Sequence, residues 1–175
     1  MRITFLPWPA VGTRKMRYAR IMERWSNSKA QTLIKQAQGR GEPLTGALRT
    51  LVDTFGYVDE AAFAALMQAF ARSRAEVLGV VSWYADFRSR PPGRHIVRLC
   101  QAESCQAVGA RELTDHACAA TGLALGETSA DGALTLEGIY CLGLCANGPA
   151  GDVDGKPVAM LDENALDARL AELDP

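Results

Sequence analysis

The chain has 175 residues, of which 48% are hydrophobic and 22% charged, a balance that excludes global disorder and suits one domain or two small ones. Its formal net charge is −1, yet residues 1–49 carry ten Lys and Arg against two Glu, whereas the remainder carries nine against eighteen Asp and Glu. A chain with such polarised charge is expected to present two surfaces with different partners.

The sequence shows no sign of export or membrane insertion. The longest apolar stretch, residues 61–71, is interrupted by Gln68 and is far shorter than the roughly 20 residues of a membrane-spanning helix. Residues 1–9 lack the unbroken apolar core and the small-residue cleavage site of a secretory signal. We therefore expect a cytoplasmic protein, whose five cysteines are metal ligands or core residues and not disulfides.

The first half of the chain has the apolar periodicity of helices. Residues spaced at i, i+3, i+4 and i+7 predict two helices, one over 18–25 and one over 30–37. Pro43 suits the first turn of a third helix, and Gly56 suits its end. Core packing is the expected role of these apolar stripes.

Two capping patterns mark the helices that follow. Asp59 is placed to cap a fourth helix, and Ser73 begins the Ser-x-x-Glu pattern of a capping box for a fifth, whose inward face includes Tyr84. We accordingly divide this half into a basic helical N-terminal extension over residues 1–42 and a helical bundle over residues 43–93.

Pro91-Pro92-Gly93 is the strongest break in the pattern and is the predicted domain boundary. Beyond it, strand and helix patterns alternate, which predicts a small α/β domain over residues 94–175. The predicted elements are a strand over 95–99, a helix over 107–121, a strand over 133–140, a hairpin over 151–161 that turns near Asp154, and a final helix capped by Asp162.

Four of the cysteines form two close pairs. Cys100 and Cys105 enclose four residues, Cys141 and Cys145 enclose three, and each pair follows a predicted strand, so both are expected at one edge of the sheet. Zinc knuckles usually enclose two residues, so these wider loops favour a [2Fe-2S] cluster held by four cysteines. The spacing leaves a zinc site and unligated redox-switch thiols open as alternatives.

The sequences around these pairs resemble a known family. CQAESCQAVGA over 100–110 and YCLGLCANGP over 140–149 are similar to the thioredoxin-like [2Fe-2S] subunit of NADH-dehydrogenase-type complexes, and the helical motifs upstream extend the resemblance to residues 43–172. Within that family, the Gln-Ala-Glu-Ser insert and the Cys-Leu-Gly-Leu-Cys loop most resemble the gamma subunit of cytosolic NAD-dependent formate dehydrogenases.

The resemblance implies a fold, a cofactor and partners. The fold is an N-terminal helical bundle followed by a thioredoxin-like [2Fe-2S] ferredoxin domain, with one cluster on Cys100, Cys105, Cys141 and Cys145. The implied partners are a subunit that holds FMN and NAD and a larger molybdenum-bearing subunit that oxidises formate, so that this chain transfers electrons without a catalytic site of its own. Equivalent subunits of a respiratory NADH dehydrogenase or an NAD-linked hydrogenase remain alternatives, as does a zinc-stabilised interaction module.

For several other residues the sequence predicts only a general structural role. Cys118 is expected to be a small buried hydrophobe, and His95 and His116 are expected in the core or in solvent because four cysteines already complete a cluster. The basic N-terminal stretch is interpreted as a solvated face or an arm that docks on an acidic partner. Nucleic acid is disfavoured because Tyr18 and Trp25 fall on the apolar stripe and not among the charges.

Overall fold

The computed structural model describes residues 23–173, in which four helices precede a five-stranded sheet and three further helices. No helix in this range is both long and apolar enough to cross a membrane. The helices are α1 Asn27–Gly39, α2 Leu44–Phe55, α3 Phe63–Phe70, α4 Arg74–Trp83, α5 Glu103–Gln106, α6 Ala110–Thr121 and α7 Glu163–Ala171. The strands are β1 His95–Cys100, β2 Glu127–Thr128, β3 Leu134–Ile139, β4 Gly151–Val153 and β5 Lys156–Val158.

Helices α1 to α4 form a bundle with its own apolar core. Ile34 of α1, Leu48 of α2 and Leu66 of α3 are each at most 1% exposed and belong to this core. The helix that the sequence predicts over 30–37 therefore packs inside the bundle. Most of the helix predicted over 18–25 lies outside the described residues, and residues 23–26 are not helical.

The predicted helix ends are confirmed where they depend on local chemistry. Gly56 ends α2 in the left-handed conformation (φ 84°), and the Ser73 side chain forms both hydrogen bonds of a capping box with Glu76. Asp59 caps a single 3-10 turn that leads into α3. The inward orientation predicted for Tyr84 is wrong, because the backbone becomes extended at this residue and leaves its side chain 48% exposed.

The sheet has the strand order β2-β3-β1-β4-β5, in which β1 and β3 are parallel and the other pairs are antiparallel. Val97, Leu99 and Leu136 pack with residues of α6 and α7 in a second core. The predicted hairpin is confirmed, with Asp154 and Gly155 at its turn, whereas the two-residue strand β2 was not predicted. The mixed helix and sheet architecture agrees with the predicted fold class.

The segment between the bundle and the sheet lies close against β3. The Gly93 N–H donates to Thr135 Oγ1 at 2.6 Å, and a Cβ on Gly93 would lie 2.8 Å from the carbonyl carbon of Leu134. Only glycine allows so close an approach of two backbones. The Arg88 guanidinium donates two hydrogen bonds of 2.6 Å to Glu137, so this segment is also anchored by a charged pair.

A histidine links α6 to α7 and makes the stability of this contact depend on pH. His116 Nε2 lies 2.8 Å from Asp167 Oδ1, and its Nδ1 lies 3.8 Å from Glu163 Oε2. The hydrogen bond to Asp167 raises the pKa of His116 above its usual value; the charges of Asp167 and Glu163 add to this, while partial burial opposes it. The folded-state pKa therefore exceeds the unfolded one.

The His116 contact is expected to stabilise the fold below the unfolded pKa of about 6.5 and to lose that contribution as pH rises through the higher folded-state pKa. We expect the melting temperature of wild type to exceed that of His116→Gln at about pH 5.5, with the difference shrinking as pH rises. The Asp167→Asn variant removes the partner of the same contact, so its melting temperature at low pH should fall by most of the decrease seen in His116→Gln. A difference that stays constant from about pH 5 to pH 9 would contradict this assignment.

Candidate metal centre

The first cysteine pair is buried where β1 ends. Cys100 is the last residue of β1 and Cys105 lies in the one-turn helix α5, and both are 1% exposed. They pack with Ala110 and Ala150 in a small cluster of their own. The Cys100 N–H donates to the Ala150 carbonyl at 3.0 Å, which fixes the strand end against the segment that leads into β4.

The second pair lies on the loop after β3 and is exposed. Cys141 Sγ and Cys145 Sγ are 3.5 Å apart, and the Gly143 N–H lies 3.4 Å from Cys141 Sγ. Cys141 has a φ of 72°, a conformation that a residue with a Cβ adopts at a cost, and Gly143 has a φ of 77°. The loop therefore folds back on itself so that both thiols lie close together.

The two pairs meet because their strands are parallel neighbours. Cys100 is in register with Ile139, so the carboxyl ends of β1 and β3 lie at the same edge of the sheet. The backbone N–H groups of Cys141 and Leu142 lower the pKa of the Cys100 thiol, so the second loop lies beside the first cysteine pair. The sequence-based expectation that both loops lie at one edge is confirmed.

Hydrogen bonds from the backbone make Cys100 the most readily ionised of the thiols whose pKa is shifted. Burial, the largest single effect, opposes ionisation, but the N–H groups of Ala102, Cys141 and Leu142 together with the Cys105 thiol outweigh it. The net result is a lowered pKa for Cys100. Such N–H groups stabilise a negatively charged sulfur without adding a counter-charge.

Two of the other thiols resist ionisation in the absence of a bound cation. Burial, followed by the hydrogen bond to Cys100, raises the pKa of Cys105, and the hydrogen bond to Cys141 and its charge raise the pKa of Cys145. Their mutual repulsion means that four thiolates accumulate here only when positive charge is bound among them. The site is thus suited to a cationic centre.

The surroundings fit an iron–sulfur cluster. A Cβ on Gly148 would lie 3.4 Å from Cys105 Sγ and 3.0 Å from Val108 Cγ2, so glycine leaves room beside the buried thiols. In residues 23–173, no three His, Cys, Asp or Glu side chains converge as they would around one metal ion. Two pairs of thiols with backbone donors match the two cysteines per iron of a [2Fe-2S] cluster.

The residues that could have been mistaken for ligands are engaged elsewhere. His95 Nδ1 lies 2.8 Å from Asp154 Oδ2, His116 bonds to Asp167, and Cys118 is half-buried on α6 against the second core. The N–H donors of this site were not identified from the sequence. Any residue type except proline supplies an N–H, so residue type alone does not identify the donors.

Comparison with known proteins assigns the family. The family model of the thioredoxin-like [2Fe-2S] ferredoxin matches residues 30–174. The chain therefore belongs to the thioredoxin-like [2Fe-2S] ferredoxin family, a class of electron-transfer proteins that carry one [2Fe-2S] cluster. The predicted cofactor and the predicted thioredoxin-like fold class are both confirmed.

The relatives belong to multi-subunit oxidoreductases. NADH-quinone oxidoreductase subunit 2 of Thermus thermophilus is 28% identical over 137 residues, which cover 78% of this chain and 76% of that one. A chain of the NADH-quinone oxidoreductase of Pseudomonas aeruginosa is 32% identical over 108 residues, covering 62% of this chain and 65% of that one.

A solved structure has the same fold. An NAD+-reducing [NiFe]-hydrogenase in the air-oxidized state superposes with a TM-score of 0.61 and 29% identity over 74% of this chain. The matched region spans 22% of that hydrogenase chain, so this chain corresponds to about a fifth of it. The likeness therefore concerns that fifth of the hydrogenase chain and not its remainder.

Proposed function

We propose that the chain is the electron-transfer subunit of a cytoplasmic NAD-dependent formate dehydrogenase, with Cys100, Cys105, Cys141 and Cys145 as the ligands of its [2Fe-2S] cluster. The observation that carries the ligand assignment is the meeting of two thiol pairs at the carboxyl ends of β1 and β3. The formate assignment is supported by the Gln-Ala-Glu-Ser insert and the Cys-Leu-Gly-Leu-Cys loop, which resemble the gamma subunit of those enzymes.

The two cysteine pairs have different tasks in this proposal. Cys100 and Cys105 hold the inner side of the centre away from water, whereas Cys141 and Cys145 face the surface. When bound, the cluster supplies one-electron redox chemistry. Tyr140 directly precedes the exposed loop, and the Met160 N–H donates a hydrogen bond to the Asn147 carbonyl that follows it. Their side chains are 79% and 71% exposed and give a redox partner an apolar surface to approach.

The net negative charge of residues 100–175 affects the reduction potential of the proposed cluster. From Cys100 onward the sequence has thirteen Asp and Glu but only three Lys and Arg. This negative field disfavours the addition of an electron and lowers the reduction potential, whereas the N–H groups directed at Cys100 act in the opposite sense. The proposed exchange of electrons is with a subunit that binds FMN and NAD, and formate oxidation takes place on a separate molybdenum-bearing subunit.

A second parent complex is supported by specific observations. The NADH-quinone oxidoreductase chains align with 78% and 62% of this chain, and the NAD+-reducing hydrogenase shares its fold over 74% of it. The same four thiols would serve equally well in a respiratory NADH dehydrogenase or an NAD-linked hydrogenase. The parent complexes differ in their catalytic metal and substrate, so a biochemical experiment separates them.

Purification of the intact complex through an affinity tag on this chain is expected to give formate-dependent reduction of NAD, with molybdenum present in the complex. The chain purified without partners should show no such turnover, because its sequence has no Gly-rich nucleotide-binding loop after a strand. Hydrogen-dependent reduction of NAD with nickel present, or NADH oxidation with quinone and no molybdenum, would instead assign the complex to one of the relatives. Turnover by the isolated chain would contradict the proposal.

A further inference from the structure

A glutamine directly follows each cysteine of the buried pair, and the two glutamines bond to one another. Gln101 follows Cys100 and Gln106 follows Cys105. Gln106 Nε2 donates to Gln101 Oε1 at 3.2 Å, so one amide–amide hydrogen bond connects the two ends of the segment that carries both buried thiols.

The Gln101 amide is also anchored to the body of the domain. Its Nε2 donates to Thr114 Oγ1 of α6 at 3.0 Å and to the Leu99 carbonyl of β1 at 3.2 Å. Thr114 is only 7% exposed, and its hydroxyl donates in turn to the Ala110 carbonyl at 2.7 Å. The position of the first cysteine segment is thereby fixed relative to α6.

Strand β3 leaves room for this arrangement. A Cβ on Gly138 would lie 3.1 Å from Gln101 Cγ, so the absence of a side chain there lets Gln101 lie across β3. The Gln101 N–H donates to the Ile139 carbonyl at 2.8 Å. Gln101 is therefore held by contacts with β1, β3 and α6 at once.

Fold stability alone does not account for the pair. Gln106 Oε1 is buried and has no hydrogen-bond donor among the described residues. A buried acceptor without a partner costs free energy, and an apolar side chain of similar size would avoid that cost. The presence of the two amides is better explained by their effect on the position of the segment that carries Cys100 and Cys105.

We propose that Gln101 and Gln106 are positioning residues that hold the first cysteine segment, residues 100–106, against β1, β3 and α6, so that its backbone N–H groups stay beside the Cys100 thiol. This inference rests on the proposed role of Cys100 and Cys105 as cluster ligands. An N–H bonded to a sulfur ligand stabilises the reduced, more negative state more than the oxidised one. Loosening the segment should therefore lower the reduction potential and expose the buried side of the site.

The test uses the full chain, purified anaerobically as wild type, Gln101→Met, Gln106→Met and the double variant. Methionine keeps the length of the side chain but removes the amide. We expect every variant to retain iron and acid-labile sulfide. Each single variant should have a more negative reduction potential than wild type. Each should also release iron to a chelator roughly two- to tenfold faster, the factor expected for one neutral hydrogen bond. The double variant should be little worse than Gln101→Met, because the two amides act through one bond.

Two further variants keep the outcome interpretable. Gln38→Met removes a glutamine hydrogen bond to the Ala69 carbonyl in the bundle and should leave the potential and the iron release unchanged. Thr114→Val removes the acceptor of Gln101 from the opposite side and should shift the potential in the same direction as Gln101→Met. It therefore provides the test if Gln101→Met does not fold.

The results distinguish this inference from the proposed function. Wild type that holds iron and sulfide, with potentials and release rates unchanged in Gln101→Met, Gln106→Met and Thr114→Val, would overturn the positioning role and leave the cluster assignment intact. Equal effects in Gln38→Met would overturn it as well, because general destabilisation would then explain the result. Wild type without iron and sulfide would overturn the proposed function and this inference with it.

Discussion

Replacing any one of Cys100, Cys105, Cys141 or Cys145 by Ser is expected to abolish or strongly alter the visible absorption and the reduced-state EPR signal of the protein. Each substitution removes an anionic sulfur ligand, and the hydroxyl that replaces it ionises far less readily than a thiol. The loss of iron should be greatest for Cys100 and Cys105, because both are buried and water cannot readily take the place of a lost ligand. Iron and sulfide assays on anaerobically purified protein measure the outcome.

Cys118→Ser is the matched control, because Cys118 is half-buried on α6 against the second core and does not lie among the paired thiols. We expect this variant to retain the full spectrum. A normal cluster in Cys141→Ser, or its loss in Cys118→Ser, would overturn the ligand assignment. Stoichiometric zinc without sulfide in wild type would favour the zinc-stabilised interaction module instead.

The second large effect is expected from Glu137→Gln, which should lower the free energy of unfolding by about 3 kcal/mol, the lower end of the loss when a buried ion pair loses one partner, because Glu137 is itself partly buried. Glu137 accepts two hydrogen bonds from Arg88 and lies 3.4 Å from the Nε of Arg98, whose side chain is 7% exposed. Without the Glu137 charge, two guanidinium groups would remain close together and would lose a negative charge that both of them contact; Asp152, at 4.0 Å, would remain near Arg98. Urea unfolding at pH 7 measures the loss.

Two comparisons test the cause of that loss. Glu172→Gln removes the same charge from an exposed pair with Arg169 and should cost under about 1 kcal/mol. Arg88→Met should cost less than Glu137→Gln, because Glu137 then retains Arg98. A loss from Glu137→Gln no larger than that from Glu172→Gln would show that the charged group does not stabilise the domain.

Features that depend on neighbouring residues could be predicted from sequence. The Ser73 capping box, the left-handed Gly56, the turn at Asp154 and Gly155, and the Asp162 cap of α7 are all confirmed. Each results from a hydrogen bond or a backbone preference within a few residues. The strand into Cys100 was predicted for the same reason, since β-branched and apolar residues precede it.

Features that depend on distant partners could not be predicted in the same way. The apolar stripe of α1 is equally suited to the bundle core and to a partner subunit, and only the structure shows Ile34 buried in the bundle. Tyr84 has the periodicity of an inward residue, but the chain turns before it can be buried. The two-residue strand β2 gains its pairing from β3 and has no sequence signal of its own.

For the functional centre, the four candidate thiols and the family could be identified from sequence, because residue type and spacing are properties of the linear chain. The folded structure was needed to show that one pair is buried and the other exposed, and that backbone groups of both loops lower the pKa of Cys100. The same is true of the contact between Gln101 and Gln106 behind the thiols. Burial and hydrogen bonding depend on which distant segments the parallel pairing of β1 and β3 brings together, and that pairing is a property of the folded chain.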